Sequence, residues 1–168
     1  MIVAERESGF EQAHREATTA SVREIATLLH KVLSRRLTAY IAGVRDAKTV
    51  TRWVNGEVTE IRDHDVERRL RIAYEIVRLL LIEESASTVR AWFIGLDPYL
   101  DDVSPAEVIR EGRLQEALAA ARAAIASQAT AEALALAGAW ADLDWDDAVA
   151  ALDRIRHESE PTPPIEIV

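Results

Sequence analysis

The side chains best suited to chemistry in this sequence lie between Arg45 and Arg52. Arg45, Lys48, Thr49, Thr51 and Arg52 combine fixed positive charge with hydroxyl groups, a set of donors that can neutralise phosphates and contact base edges in a DNA major groove. In the same stretch Val50, Trp53 and Val54 share one helical face and would bury it, which leaves the cations and threonines outward. Catalysis has far less support. The chain has no cysteine, so thiol catalysis, disulfides and thiolate metal sites are excluded. His14, His30, His64 and His157 are widely separated. Asp63-His64-Asp65 lacks the spacing of a helical metal pair, so Asp63 and Asp65 read as helix-start residues. No phosphate-binding glycine loop, nucleophile elbow or redox motif is present. No catalytic residue, metal or cofactor is expected, and the chemistry implied is binding without turnover.

The elements that must position those side chains read as helix, tight turn, helix. Residues 37–43 and 46–55 form the two short helices, with Ala39 small where helices cross, Gly43 in the turn, Asp46 as a cap and Gly56 as the stop. Val22, Ile25, Leu28, Leu29, Val32 and Leu33 recur at helical spacing before them, as do Val66, Leu70, Ala73, Val77 and Leu80 after them. A long helix over residues 65–84 carries Leu79, Leu80, Leu81 and Ile82 in succession, more apolar surface than one stripe buries. It therefore reads either as a dimer element or as the centre of the core. Further helices are expected over residues 86–94 and from Ser104-Pro105 to a stop at Gly112. Of residues 117–151, 17 of 35 are alanine, which favours two helices with a break near residues 138–144. Pro161, Pro163 and Pro164 forbid regular helix in the tail. The expected fold is all-α.

A formal charge of −9 over 168 residues conceals a polarity along the chain. Residues 21–80 carry 12 Lys/Arg against 8 Asp/Glu, whereas residues 81–168 carry 6 against 17. The basic part suits nucleic acid and the acidic part a basic protein partner, although solvated helix faces also produce such asymmetry. No run of eighteen apolar residues exists, and the first twenty residues are polar. No membrane partner or secretory signal is therefore expected, and a cytoplasmic protein is.

The stretch from Leu37 to Gly56, with valine, one spacer, Arg52-Trp53 and a closing glycine, resembles the helix-turn-helix of Xre-type bacterial regulators. It has one residue more between Gly43 and Val50 than the commonest version. An ordinary helical hairpin with a buried tryptophan is the other reading. A second segment, from Trp92 to Gly112, resembles the toxin-binding domain of Xre/MbcA/ParS antitoxins, the partners of RES-domain toxins. Trp92, Asp97, Leu100, Ser104, Pro105, Val108, Ile109 and Gly112 occupy the places of that pattern. Asp97 stands where asparagine is more usual, and Leu100-Asp101-Asp102 where Leu-Gly-Gly is expected. The resemblance implies toxin contacts from Trp92, Asp97, Leu100, Pro105, Ile109 and Gly112. Physically, Trp92, Phe93 and Leu96 could pack with Val108, Ile109 and Leu114 into a small core, with or without a partner.

The C-terminal part, including Arg154, Arg156 and the proline-rich end, is similar to the toxin-binding tails of VapB-type antitoxins. There the resemblance implies an arginine entering the acidic metal site of a PIN-domain ribonuclease, while a loose chain end is the alternative. Together these features predict an N-terminal segment (1–20), a helix-turn-helix domain (21–84), a helical toxin-binding domain (85–126), and alanine-rich helices with a proline-rich tail (127–168). The expected function is an antitoxin that neutralises a cognate toxin, RES-type before PIN-type, and represses its own operon as a homodimer on operator DNA. The alternatives are a regulator whose C-terminal helices only dimerise it, and an interaction adaptor that never touches DNA.

Overall fold

Helix starts are set by short polar side chains that accept from otherwise unpaired backbone N–H groups. Ser21 and Glu24 make a reciprocal capping box, Asp63 accepts from Asp65 and Val66, and Ser85 and Ser104 accept from Thr88 and Glu107. The Ser21 hydroxyl, and then its backbone N–H, hold the Glu24 carboxyl below its ordinary range. The box therefore stabilises the fold at neutral pH and is lost as pH falls through that lowered value.

In a computed structural model, which describes the backbone of residues 2–139 and the side chains of residues 8–128, these starts open a series of helices. In chain order they are α1 (Ile2–Thr19), α2 (Val22–Leu33), α3 (Arg35–Ala42), α4 (Lys48–Val54), α5 (His64–Leu80) and α6 (Ala86–Ile94). A 3-10 turn (Pro98–Leu100), α7 (Pro105–Arg110) and α8 (Leu114–Ala139) follow. Among the described residues there is no strand, only an isolated bridge between Asp97 and Val103. The fold is all-α, as its periodicity implied.

α5 is the axis of the core. Leu70, Ala73, Ile76, Val77 and Leu79 are buried on it, and it packs against α1, α2, α3 and α7. α2 faces it with Ile25, Ala26, Leu29, Val32 and Leu33, and also supports α4 and α6. Met1–Ser127 forms one compact unit, with one continuous apolar cluster running from Ala13 to Ile125. The boundaries expected at residues 20 and 84 fall inside it. The division after Ser127 falls within α8, whose described remainder, residues 128–139, lies in the second unit. α8 runs through Gly138, where a break was expected to begin. The remainder of that expected break, and the proline-rich tail, lie outside the described residues.

α1 is the element the periodicity did not reveal. Its inner stripe is Ala13 and Ala17 beside a half-buried Phe10, so little side-chain bulk marks the buried face. It covers α5, which accounts within one chain for apolar surface that local pattern leaves spare. α5 ends at Leu80, with Leu81 half-buried and Ile82 exposed beyond it. Arg71 fastens α1 in place. Its Nη1 donates to the carbonyls of Ala17, Thr18 and Ala20 at 2.7, 3.2 and 3.2 Å, while Nε and Nη2 hold Glu67. Arg71→Ala is expected to lower unfolding free energy by about 2 kcal/mol, since hydrogen bonds from a charged donor are worth about 1.5 to 3 kcal/mol. Urea denaturation followed by circular dichroism measures it.

Candidate nucleic-acid interface and partner-facing loop

The turn between α3 and α4 is built around small residues and one left-handed glycine. Thr38, Ala39, Ile41 and Ala42 are buried along α3. Gly43 ends that helix at φ +79°, a conformation that costs side-chain-bearing residues energy. A Cβ there would stand 2.8 Å from Arg69 Nη1, and Arg69 donates to the Ala42 carbonyl at 3.4 Å. Gly43→Ala is therefore expected to cost about 1 to 2 kcal/mol, the price of a left-handed residue, and thermal unfolding of the purified variant checks it. Asp46 caps the second helix as expected: its Oδ1 accepts from Lys48 N at 2.8 Å. The regular helix begins at Lys48, two residues later than the sequence suggested, because the Asp46 and Ala47 carbonyls accept from Thr49 and Val50 three residues on.

α4 then divides its side chains between two surroundings. Val50 and Trp53 are buried against α2 and α3, with Val54 half-buried. Arg45, Lys48 and Arg52 are exposed, and Thr49 and Thr51 are half-buried. Arg52 is shared with the protein itself, its Nε lying 3.4 Å from Glu57 Oε2.

A wider set of cations lies along the chain on either side of this helix. Arg23, Lys31, Arg35, Arg36, Arg45, Lys48 and Arg62 are exposed, and among the described residues none has a carboxylate partner or a side-chain hydrogen bond. Elsewhere among the described residues the arginines are engaged. Arg15, Arg68, Arg71, Arg78 and Arg113 pair with carboxylates. Arg90 and Arg110 donate to the carbonyls of Val32 and Tyr40, and Arg122 lies over the Phe10 ring. Among the described residues, the exposed cations with no carboxylate, carbonyl or ring partner thus all fall within residues 23–62, the segment that contains α2, α3 and α4. Arg23, with its side chain beside Gly56 at the end of α4, and the Arg35-Arg36 pair opening α3 were not singled out from sequence. The adjacent pair was visible there, but which cations lack partners depends on the fold.

The second segment is a loop with buried anchors. Trp92, half-buried, meets Phe93 edge to face at 5.2 Å between ring centroids. Asp97 is buried and uses both oxygens: Trp92 Nε1 donates to Oδ2 at 3.1 Å and Tyr99 N to Oδ1 at 2.8 Å. A carboxylate accepts twice where one end of an amide would present a donor, which explains aspartate at this position. Asp101 and Asp102 have φ of 56° and 59°, so the two places where the resemblance has glycines are both left-handed. Aspartate tolerates this better than most residues.

Leu100, Pro105 and Ile109 are buried beside Val108, so these residues shape the loop from within. Gly112 is exposed at φ +87°. Leu96 was expected to join Trp92 and Phe93 in the small core; instead it is exposed, because the chain leaves α6 at Gly95 in an extended conformation. The exposed apolar side chains are Ile94, Leu96 and Tyr99, and sequence reasoning missed their surface position. Arg154 and Arg156 lie outside the described residues.

Among the described residues no cluster of His, Asp or Glu could hold a metal ion, and no helix is long and apolar enough to cross a membrane. No known protein family, curated protein or solved structure matches the chain.

Proposed function

We propose that the protein is a DNA-binding antitoxin of the cytoplasm. It represses its own operon through α3 and α4 and neutralises a cognate toxin, of RES type, through the Trp92 to Gly112 segment. The observation that carries the DNA-binding half is that, among the described residues, the exposed cations with no carboxylate, carbonyl or ring partner all fall within residues 23–62. Arg15, Arg68, Arg71, Arg78 and Arg113 are paired with carboxylates, whereas Arg45, Lys48 and their neighbours remain available to phosphates. In this reading Lys48, Thr49, Thr51 and Arg52 face the major groove, and Arg45 contacts the backbone at its edge. Reading two half-sites about one DNA turn apart requires a homodimer. The toxin-binding half rests on the resemblance of the Trp92 to Gly112 segment and on its ordered, partly apolar surface.

Co-expression with the product of the adjoining gene tests the whole reading: growth should be rescued and the two proteins should co-purify. A growth defect that the chain fails to relieve, with no co-purification, would refute the antitoxin function. Removal of residues 159–168 is expected to leave protection intact, because the Trp92 to Gly112 segment supplies the inhibitory contacts. Loss of protection in that deletion, with folding retained by circular dichroism, would assign inhibition to the tail with Arg154 and Arg156, and to a PIN-type toxin.

A further inference from the structure

We infer that Ile94, Leu96 and Tyr99 form a preshaped docking surface for a protein partner that offers an apolar socket bounded by lysine and arginine; that this partner is the toxin rests on the function proposed above. The three side chains are 59, 73 and 66 % exposed and fall within six consecutive residues. The other large exposed apolar side chains among the described residues are Tyr40 and Ile82, and Tyr40 lies under the Arg110 guanidinium at 4.5 Å. Grouped exposed apolar side chains mark interaction surfaces more often than chance exposure does. Tyrosine, with a broad ring and few rotatable bonds, is among the residues that most often dominate interface energy.

The loop that carries them is already ordered. Asp97 ties Trp92 to Tyr99 through its two carboxylate oxygens, its backbone carbonyl accepts from Leu100 and Asp102, and its N–H donates to Val103 O. Leu100 is buried beneath the turn. Binding therefore need not freeze the loop, which removes a cost that flexible surfaces incur.

Charge identifies the occupant. Residues 94–107 contain four aspartates or glutamates and no lysine or arginine; Asp101, Asp102 and Glu107 are exposed. The flanking cations Arg90 and Arg110 are held by the Val32 and Tyr40 carbonyls. An acidic rim repels nucleic acid and anionic lipid and attracts a basic protein surface. It also disfavours a second copy of this chain, because a two-fold contact would set the same acidic rim against itself.

The test is titration calorimetry of the full chain with the purified product of the adjoining gene, beside light scattering of the chain alone. Leu96→Ser with Tyr99→Ser should weaken binding by about 100-fold or more, the loss of two interface anchors, without change in thermal midpoint or DNA affinity. Asp101→Asn with Asp102→Asn, which keeps side chains tolerant of left-handed backbone, should slow association at low salt by about 10-fold. Binding by the wild type that the serine variant retains in full would overturn this surface while leaving the antitoxin reading intact. Absence of binding by the wild type would instead remove that reading, and this inference with it. A wild-type dimer that the serine variant converts to monomer, with no binding of the gene product, would identify a second copy as the occupant and likewise overturn the inference.

Discussion

Trp53→Ala should strongly destabilise the fold that holds α3 and α4 and weaken DNA binding indirectly. The indole is buried where α4 meets α2 and α3, and truncating a buried tryptophan costs about 3 to 5 kcal/mol through lost transfer energy and the cavity left behind. A small domain has total stability of about 5 to 15 kcal/mol, so this single change removes a large share. Because one apolar cluster runs from Ala13 to Ile125, the loss should appear as one lowered cooperative transition in urea. Lys48→Ala, one turn or so away on the exposed side of the same helix, should leave that transition unchanged. The contrast matters because both variants would lose DNA affinity, and only unfolding measurements separate a support from a contact. Equal stability in the two variants would mean that α4 does not pack through Trp53.

Asp97→Ala is expected to cost about 2 to 4 kcal/mol. It leaves the Trp92 Nε1–H and the Tyr99 N–H without the oxygens they now donate to, and hydrogen bonds to a charged acceptor are worth about 1.5 to 3 kcal/mol each before the relief of desolvating the carboxylate. Asp97→Asn should be milder, since one oxygen is kept. Near-ultraviolet circular dichroism, which senses the surroundings of Trp92, should change in both variants. Partner affinity should fall with them, because the exposed side chains of Ile94, Leu96 and Tyr99 depend on this loop for their position. An alanine variant with wild-type stability would show that Asp97 does not anchor the loop.

The legible parts of this fold were those in which local pattern and tertiary environment agree. α6 begins and ends at the residues that its serine cap and Gly95 imply, and α7 follows its Ser-Pro start. Val50 and Trp53 turn inward as helical spacing requires. α1 was illegible because its buried stripe is alanine, whose small side chain carries almost no hydrophobic signal. That omission also left α5 with an apolar surplus for which a dimer offered one explanation, when α1 covers that face within the chain. In the Trp92 to Gly112 segment, apolar character alone did not separate inside from outside. Leu96 and Leu100 are four residues apart, yet Gly95 and the 3-10 turn break the helical register, so one is exposed and the other buried. The set of available cations depends on pairing partners from across the fold, such as Glu16 for Arg78, and no local pattern encodes it.

The measurement that bears most directly on the central claim is the salt dependence of binding to the DNA upstream of the chain's own coding sequence, read by fluorescence anisotropy. Each phosphate neutralised by a cation contributes about 0.9 to the slope of log affinity against log salt. Arg45→Ala, Lys48→Ala and Arg52→Ala combined should therefore flatten that slope by about two to three units and weaken binding at low salt, with the unfolding transition unchanged. Identical affinity and slope in the wild type and the triple variant would contradict the assignment of α4 and its preceding turn as the DNA-binding element.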